Sequence, residues 1–212
     1  MSNLSYSKFT LENAKINFEL TLEENQDLFP KIQPIKPSEI LTTILGEYIP
    51  LATAINTGKA RSELLISQIL AEVRRQLNYQ ISLFSGTEFN VEAELGLQGY
   101  CDFLLSFSSA QYFITAPVIT IVEAKNENII RGLGQCVASM VGGQLFNQRC
   151  GNSVKVIYGA VTTGTNWKFL TLEEKIVRID VGEYYVKEID KILGIILQPF
   201  QEYSNSKIEF KS

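Results

Sequence analysis

The chain contains no histidine. Triads, metal sites and general bases built on imidazole are therefore excluded, and acid–base or metal chemistry falls to carboxylates, Lys, Tyr or Cys. Only three cysteines occur, Cys101, Cys136 and Cys150, without C-x-x-C spacing. That odd count predicts reduced thiols in a cytoplasmic protein. Positive charge is not in surplus either. Lys and Arg number 19 against 23 Asp and Glu, a net charge of −4 with a pI of about 5.1. This argues against a large basic surface but leaves room for a local basic groove. No apolar run approaches the ~18 residues needed to span a bilayer, and the longest, ILGIILQPF, is broken by Gln198 and Pro199. The start, MSNLSYSKFTLENAKINF, has no basic stretch ahead of an apolar run, so no secretory signal is expected.

What is present fits one folded domain, alone or with an appendage: 212 residues, 45% hydrophobic and 20% charged. Residues 1–57 read as an N-terminal extension and connector. LENAKINFEL is ambiguous between strand and helix, and Pro30, Pro34 and Pro37 oppose both. A short helix is expected over Pro37–Tyr48, started by Ser38. Residues 58–212 read as an α/β domain. Leu65, Ile66, Ile69, Leu70, Val73 and Leu77 recur at helical spacing. Three strands are expected next, from FNVEAELGL, GYCDFLLSFS and VITIVEAK, with Gly86 as punctuation before them. A glycine-containing helix follows from Asn128 to Cys150, its small residues implying close approach of the sheet or of something else. VKVIYGAVTTGTNWKFLTLE supplies two strands, KIVRIDVGEYYV an edge strand, and EIDKILGIILQPFQEY a C-terminal helix. The order predicts a mixed central β-sheet with helices on both faces.

The informative irregularity lies in the stretch VITIVEAK. An apolar, largely β-branched strand ends with Glu123 and Lys125 on one face, since side chains two apart in a strand point the same way. Asp102 interrupts the preceding apolar strand after GYC. If the two strands are antiparallel neighbours, the two carboxylates meet. They then repel unless a cation lies between them, and oxygen ligands suit Mg²⁺, or Mn²⁺ in its place. A lysine beside such a site can orient water or offset charge on a phosphate.

These residues resemble the PD-(D/E)xK nuclease-like superfamily, over roughly Gly58 to Leu172. Asp102 in GYCDFLL, Glu123 and Lys125 in IVEAK, and Gln135 in GLGQC carry the likeness. The resemblance implies a restriction-endonuclease-like core and metal-dependent hydrolysis of DNA. Asp102 and Glu123 are its expected metal ligands, Lys125 serves the attacking water, and Gln135 positions Lys125 or a phosphate. It also implies an auxiliary helical acid, for which Glu63 is the first candidate and Glu72 the reserve. Three departures stand out: Cys101 occupies the usual proline position, the interval from Asp102 to Glu123 is long, and Ser139 replaces a tyrosine found in one subfamily. Domains of this kind are expected to grip DNA as homodimers or through an attached module, and the first fifty residues offer a dimer arm. The rival expectation is a non-catalytic member of the same fold that binds a protein or nucleic-acid partner. Cys101, Cys136 and Cys150 read as packing residues, and Trp167 and Lys168 as the start of a strand with an anchoring aromatic.

Overall fold

The structure, a computed structural model, describes residues 4–152 and 154–209. The residues read as an extension enter the main fold at once. Thr10 caps helix α1 (Leu11–Asn17), its hydroxyl accepting from the Asn13 N–H at 3.1 Å. LENAKINFEL is thus mostly a short helix, and strand β1 (Thr21–Gln26) follows it. The proline-bearing connector has no regular structure, and it buries Phe29. Ser38 caps helix α2 (Glu39–Ile55). This helix continues past Tyr48 and through Pro50. Burial of Leu41, Leu45 and Ala52 along one stripe outweighs the backbone hydrogen bond the proline cannot make.

Helix α3 (Gly58–Arg61), a π turn at Ser62–Ile66 and helix α4 (Ser67–Gln76) follow one another directly. Glu72 of α4 is fully buried. It accepts from the Ser38 N–H at 2.9 Å, the Ser38 hydroxyl at 2.8 Å and Gln76 at 3.0 Å, and it pairs with Arg75. The reserve candidate for a helical acid is therefore a clamp on the start of α2. Burial opposes its charge, but these bonds outweigh the penalty and hold the carboxyl below its usual range. Its contribution is present above the unfolded pKa, about 4.3, and is lost as pH falls through the lowered folded value. Glu72→Gln is expected to cost about 1–2 kcal/mol at pH 7 in urea unfolding, with a difference that shrinks in acid.

Strands β2 (Ser82–Glu88), β3 (Tyr100–Ser106) and β4 (Val118–Ala124) form an antiparallel meander. The first of them is not FNVEAELGL. That segment is a loop, with a 3₁₀ turn at Ala93–Leu95 and a Glu92–Leu97 bridge. Its alternation does not report burial, since Leu95 is exposed. Gly86, expected as punctuation, lies inside β2 with φ +57°, where the ladder passes from Ser85–Phe103 to Thr87–Cys101. Strict alternation fails nearby, and Cys101 and Leu104 pack in the same cluster.

Helix α5 (Ile130–Arg149) returns the chain so that β5 (Val156–Thr162) runs parallel to β4. Asn147 fixes its far end, accepting from the Val118 N–H and donating to the Val118 carbonyl, both at 2.7 Å. Strands β6 (Asn166–Glu173) and β7 (Ile176–Asp180) continue antiparallel, a short β8 (Tyr184–Tyr185) pairs with β6, and helix α6 (Ile189–Glu209) closes the described chain. The sheet order is β1-β7-β6-β5-β4-β3-β2. β7 is not an edge, because β1 pairs with it in parallel.

The architecture is α/β, a mixed sheet flanked by helices. On one face, residues of α2, α4 and α6 pack with Phe103, Val122, Ala160, Trp167 and Phe169. On the other, α1 and α5 pack with Leu104, Ile121, Val161 and Leu172. Residues 1–57 thus give the described chain an edge strand and helices on both faces. Cys101 and Cys136 are buried, whereas Cys150, expected to pack, is exposed beyond the end of α5. No helix among the described residues is long and apolar enough to cross a membrane.

Candidate active site

Because β4 and β5 are parallel, their C-terminal ends lie side by side, with Glu123 against Val161 and Ala124 against Thr162. The Lys125 N–H donates to the Thr162 carbonyl at 2.8 Å, which holds Lys125 just past the end of its strand. The neighbouring strand β3 supplies Asp102. Its Oδ2 accepts from the Ala124 N–H at 2.8 Å, so the side chain completes the ladder where the strands part.

With Phe103 opposite Val122 in the antiparallel ladder, Asp102 stands opposite Glu123. Glu123 is fully buried; its Oε1 takes a long bond of 3.4 Å from the Ser139 hydroxyl, and its Oε2 is buried without a donor. Burial first, and the charge of Asp102 second, push the Glu123 carboxyl well above its usual range, with Lys125 opposing them. Cys101 lies close by, and burial, then Glu123, push its thiol upward. It stays a neutral thiol, as expected of a packing residue.

Lys125 Nζ donates to Gln135 Oε1 at 2.8 Å. Four residues named from the sequence therefore converge: Asp102, Glu123, Lys125 and Gln135. Ser139 is a fifth. The spacing of four from Gln135 places both on one side of a helix, and this is the signal that could have found it. Glu63 does not join them. It is exposed and pairs with Lys59 at 3.8 Å. The π turn at Ser62–Ile66 accounts for the departure, since an extra residue per turn rotates the helix before it relative to the stripe after it. Arg61 donates to Asn56, to the Thr163 carbonyl and to Thr165, tying the helix to the β5–β6 turn. Trp167 is fully buried, as expected of an anchor.

No protein-family model matches the chain, and none of the curated proteins does.

Chemically, two carboxyl groups meet at a point where one buried oxygen lacks any donor. Such a pair is relieved by a shared proton or by a hard divalent cation, which takes one or two carboxylates and leaves its other positions to water and substrate. Among the described residues no third acidic or cysteine side chain completes a larger ligand cluster.

Proposed function

We propose that this protein is a metal-dependent nuclease that hydrolyses phosphodiester bonds of DNA with a PD-(D/E)xK-type site on a restriction-endonuclease-like core. The carrying observation is the ladder register that sets Asp102 opposite Glu123, with the Lys125 ammonium held by Gln135. The element order supports it: helix, three-strand meander, helix, then a strand parallel to the third.

Asp102 and Glu123 would hold Mg²⁺ or Mn²⁺, which when bound stabilises charge on a phosphate and acidifies water. Lys125 offers a positive charge beside the scissile phosphate and orients the water that adds to phosphorus as the bond to the leaving oxygen breaks. Gln135 fixes the ammonium, and the β4–β5 pairing fixes the backbone beneath it. Ser139 orients Glu123. Glu63 has no role in this scheme.

The rival is a non-catalytic module of the same fold, favoured by the net charge of −4. Single- and double-stranded DNA and RNA, incubated with Mg²⁺ or Mn²⁺, separate the two. Wild type is expected to cleave DNA, with Lys125→Ala slower by about 10²-fold or more and Asp102→Asn inactive. Cleavage retained in both variants moves the site elsewhere. No cleavage, together with no Mn²⁺ uptake by calorimetry, leaves the binding module.

A further inference from the structure

Glycine is a poor choice in a helix, yet α5 begins Ile130-Arg131-Gly132-Leu133-Gly134. Gly132 is not there for backbone freedom, because its φ is not in the left-handed region. Its reason is steric. A Cβ built at Gly132 would stand 2.5 Å from Val161 Cγ1 and 2.9 Å from both Cγ and Cε of Lys125. The aliphatic stem of Lys125 therefore crosses α5 at a position where no side chain stands. It ends one turn further on, at Gln135, three residues from Gly132 and on the same side of the helix.

We propose that Gly132 is a positioning residue for Lys125. It leaves the slot, floored by Val161 of β5, through which the lysine stem reaches Gln135. The catalytic meaning of this slot depends on the nuclease reading; the slot itself does not. The two walls differ in how they yield. Val161 is β-branched, stiff about χ1, and lies on a strand paired on both sides. Lys125 has four rotatable bonds and an exit to solvent. A methyl group at position 132 meets Val161 Cγ1 first and the lysine stem next. The strand holds the valine, so the lysine is pushed out of the slot and its ammonium comes off Gln135, while the valine contact that remains costs stability.

Two measurements test this. In protein labelled at lysine Cε with ¹³C, the Lys125 resonance is assigned by its loss in Lys125→Ala. In Gly132→Ala it is expected to move to the position shared by exposed lysines. Cleavage by Gly132→Ala is expected to lose about 10²-fold in kcat, the cost of misplacing a reacting group by about 1 Å, with KM within about twofold. Should Gly132→Ala fold poorly, the double variant Gly132→Ala/Val161→Ala removes the valine contact and keeps the lysine, and a Lys125 resonance that still moves there supports the slot. An unmoved Lys125 resonance, in Gly132→Ala or in that double variant, overturns the proposal. If wild type cleaves nothing while the resonance moves as expected, the nuclease reading falls and the slot stands.

Discussion

Replacing Glu123 with glutamine is expected to stabilise the metal-free protein while removing the proposed DNA cleavage. The carboxyl of Glu123 is fully buried against that of Asp102, and its Oε2 has no donor. Its folded pKa is raised, so its contribution to stability is complete below the unfolded value, about 4.3, and is lost as pH rises through the folded value. The penalty therefore grows as pH rises from the unfolded value towards the folded one. Glutamine keeps the shape, carries no charge and brings an N–H₂ that can donate to Asp102. In EDTA at pH 8, Glu123→Gln should therefore be more stable than wild type by about 1–3 kcal/mol, roughly 2–4 °C per kcal/mol for a chain of this size. With Mn²⁺ at about 100 times its dissociation constant, wild type should gain about 2.7 kcal/mol and the variant nothing. Cleavage should fall about 10³-fold, the rate equivalent of several kcal/mol of lost charge stabilisation. A variant less stable than wild type in EDTA would mean that the carboxyl pair is not strained by charge, and the cation site would lose its physical basis.

The residues of this cluster were legible for one reason: charge where an apolar strand should continue. Glu123 and Lys125 close VITIV, and Asp102 breaks YCDFLL. No bland role on a solvated face explains such residues well, and in the structure Glu123 is buried without a full set of donors. Gln135 was different. Its helix pattern permits a surface position, and only the resemblance pointed to Lys125. Glu63 shows the limit of the resemblance, which puts a helical acid early, and of the periodicity that left it a candidate. A helical wheel assumes about 100° per residue, and the π turn at Ser62–Ile66 breaks that assumption without leaving a mark in the composition.

The fold was legible where apolar residues recur at helical spacing or run unbroken, and obscure where they do neither. The helix over α4 follows from regular apolar spacing, and β3 and β4 from short apolar runs buried on both faces. FNVEAELGL alternates, but its apolar residues are divided: Phe89 and Leu97 are buried, and Leu95 is not. The true strand, SLFSGTE, carries a glycine with positive φ and only one buried residue, so neither signal marks it. β1 is similarly hidden. TLEENQ has a single apolar residue, and its strand character comes from pairing with β7 across more than 150 positions of sequence, not from its own composition. Long-range pairing of this kind cannot be read from a local window, which is why residues 1–57 look separable in the sequence and are part of the sheet and its packing in the structure.

That integration has a sharp mechanical test at Gly134. α1 lies so close on α5 that a Cβ at this position would stand 2.2 Å from the Thr10 carbonyl carbon, 2.5 Å from the Leu11 nitrogen and 2.5 Å from the Phe9 carbonyl oxygen. These are backbone atoms, and no rotamer change can move them aside. Gly134→Ala must lift the start of α1 off the helix, and with it Tyr6, Phe9 and Ala14, all buried in the cluster on this face. Burial of each large apolar side chain contributes about 1.5–3 kcal/mol. The expected loss is therefore about 3 kcal/mol or more by urea unfolding, beyond the usual range for overpacking, with new protease sensitivity before residue 20. Gly143→Ala is the control. Its nearest neighbour is Val118 Cγ1 at 3.3 Å, a side-chain atom that has only a few tenths of an ångström to give. The better helix propensity of alanine, about 1 kcal/mol, offsets that crowding, and a change within about 1 kcal/mol is expected. Equal stabilities for the two variants would show that α1 is only loosely laid on α5, and that the N-terminal residues form an appendage after all.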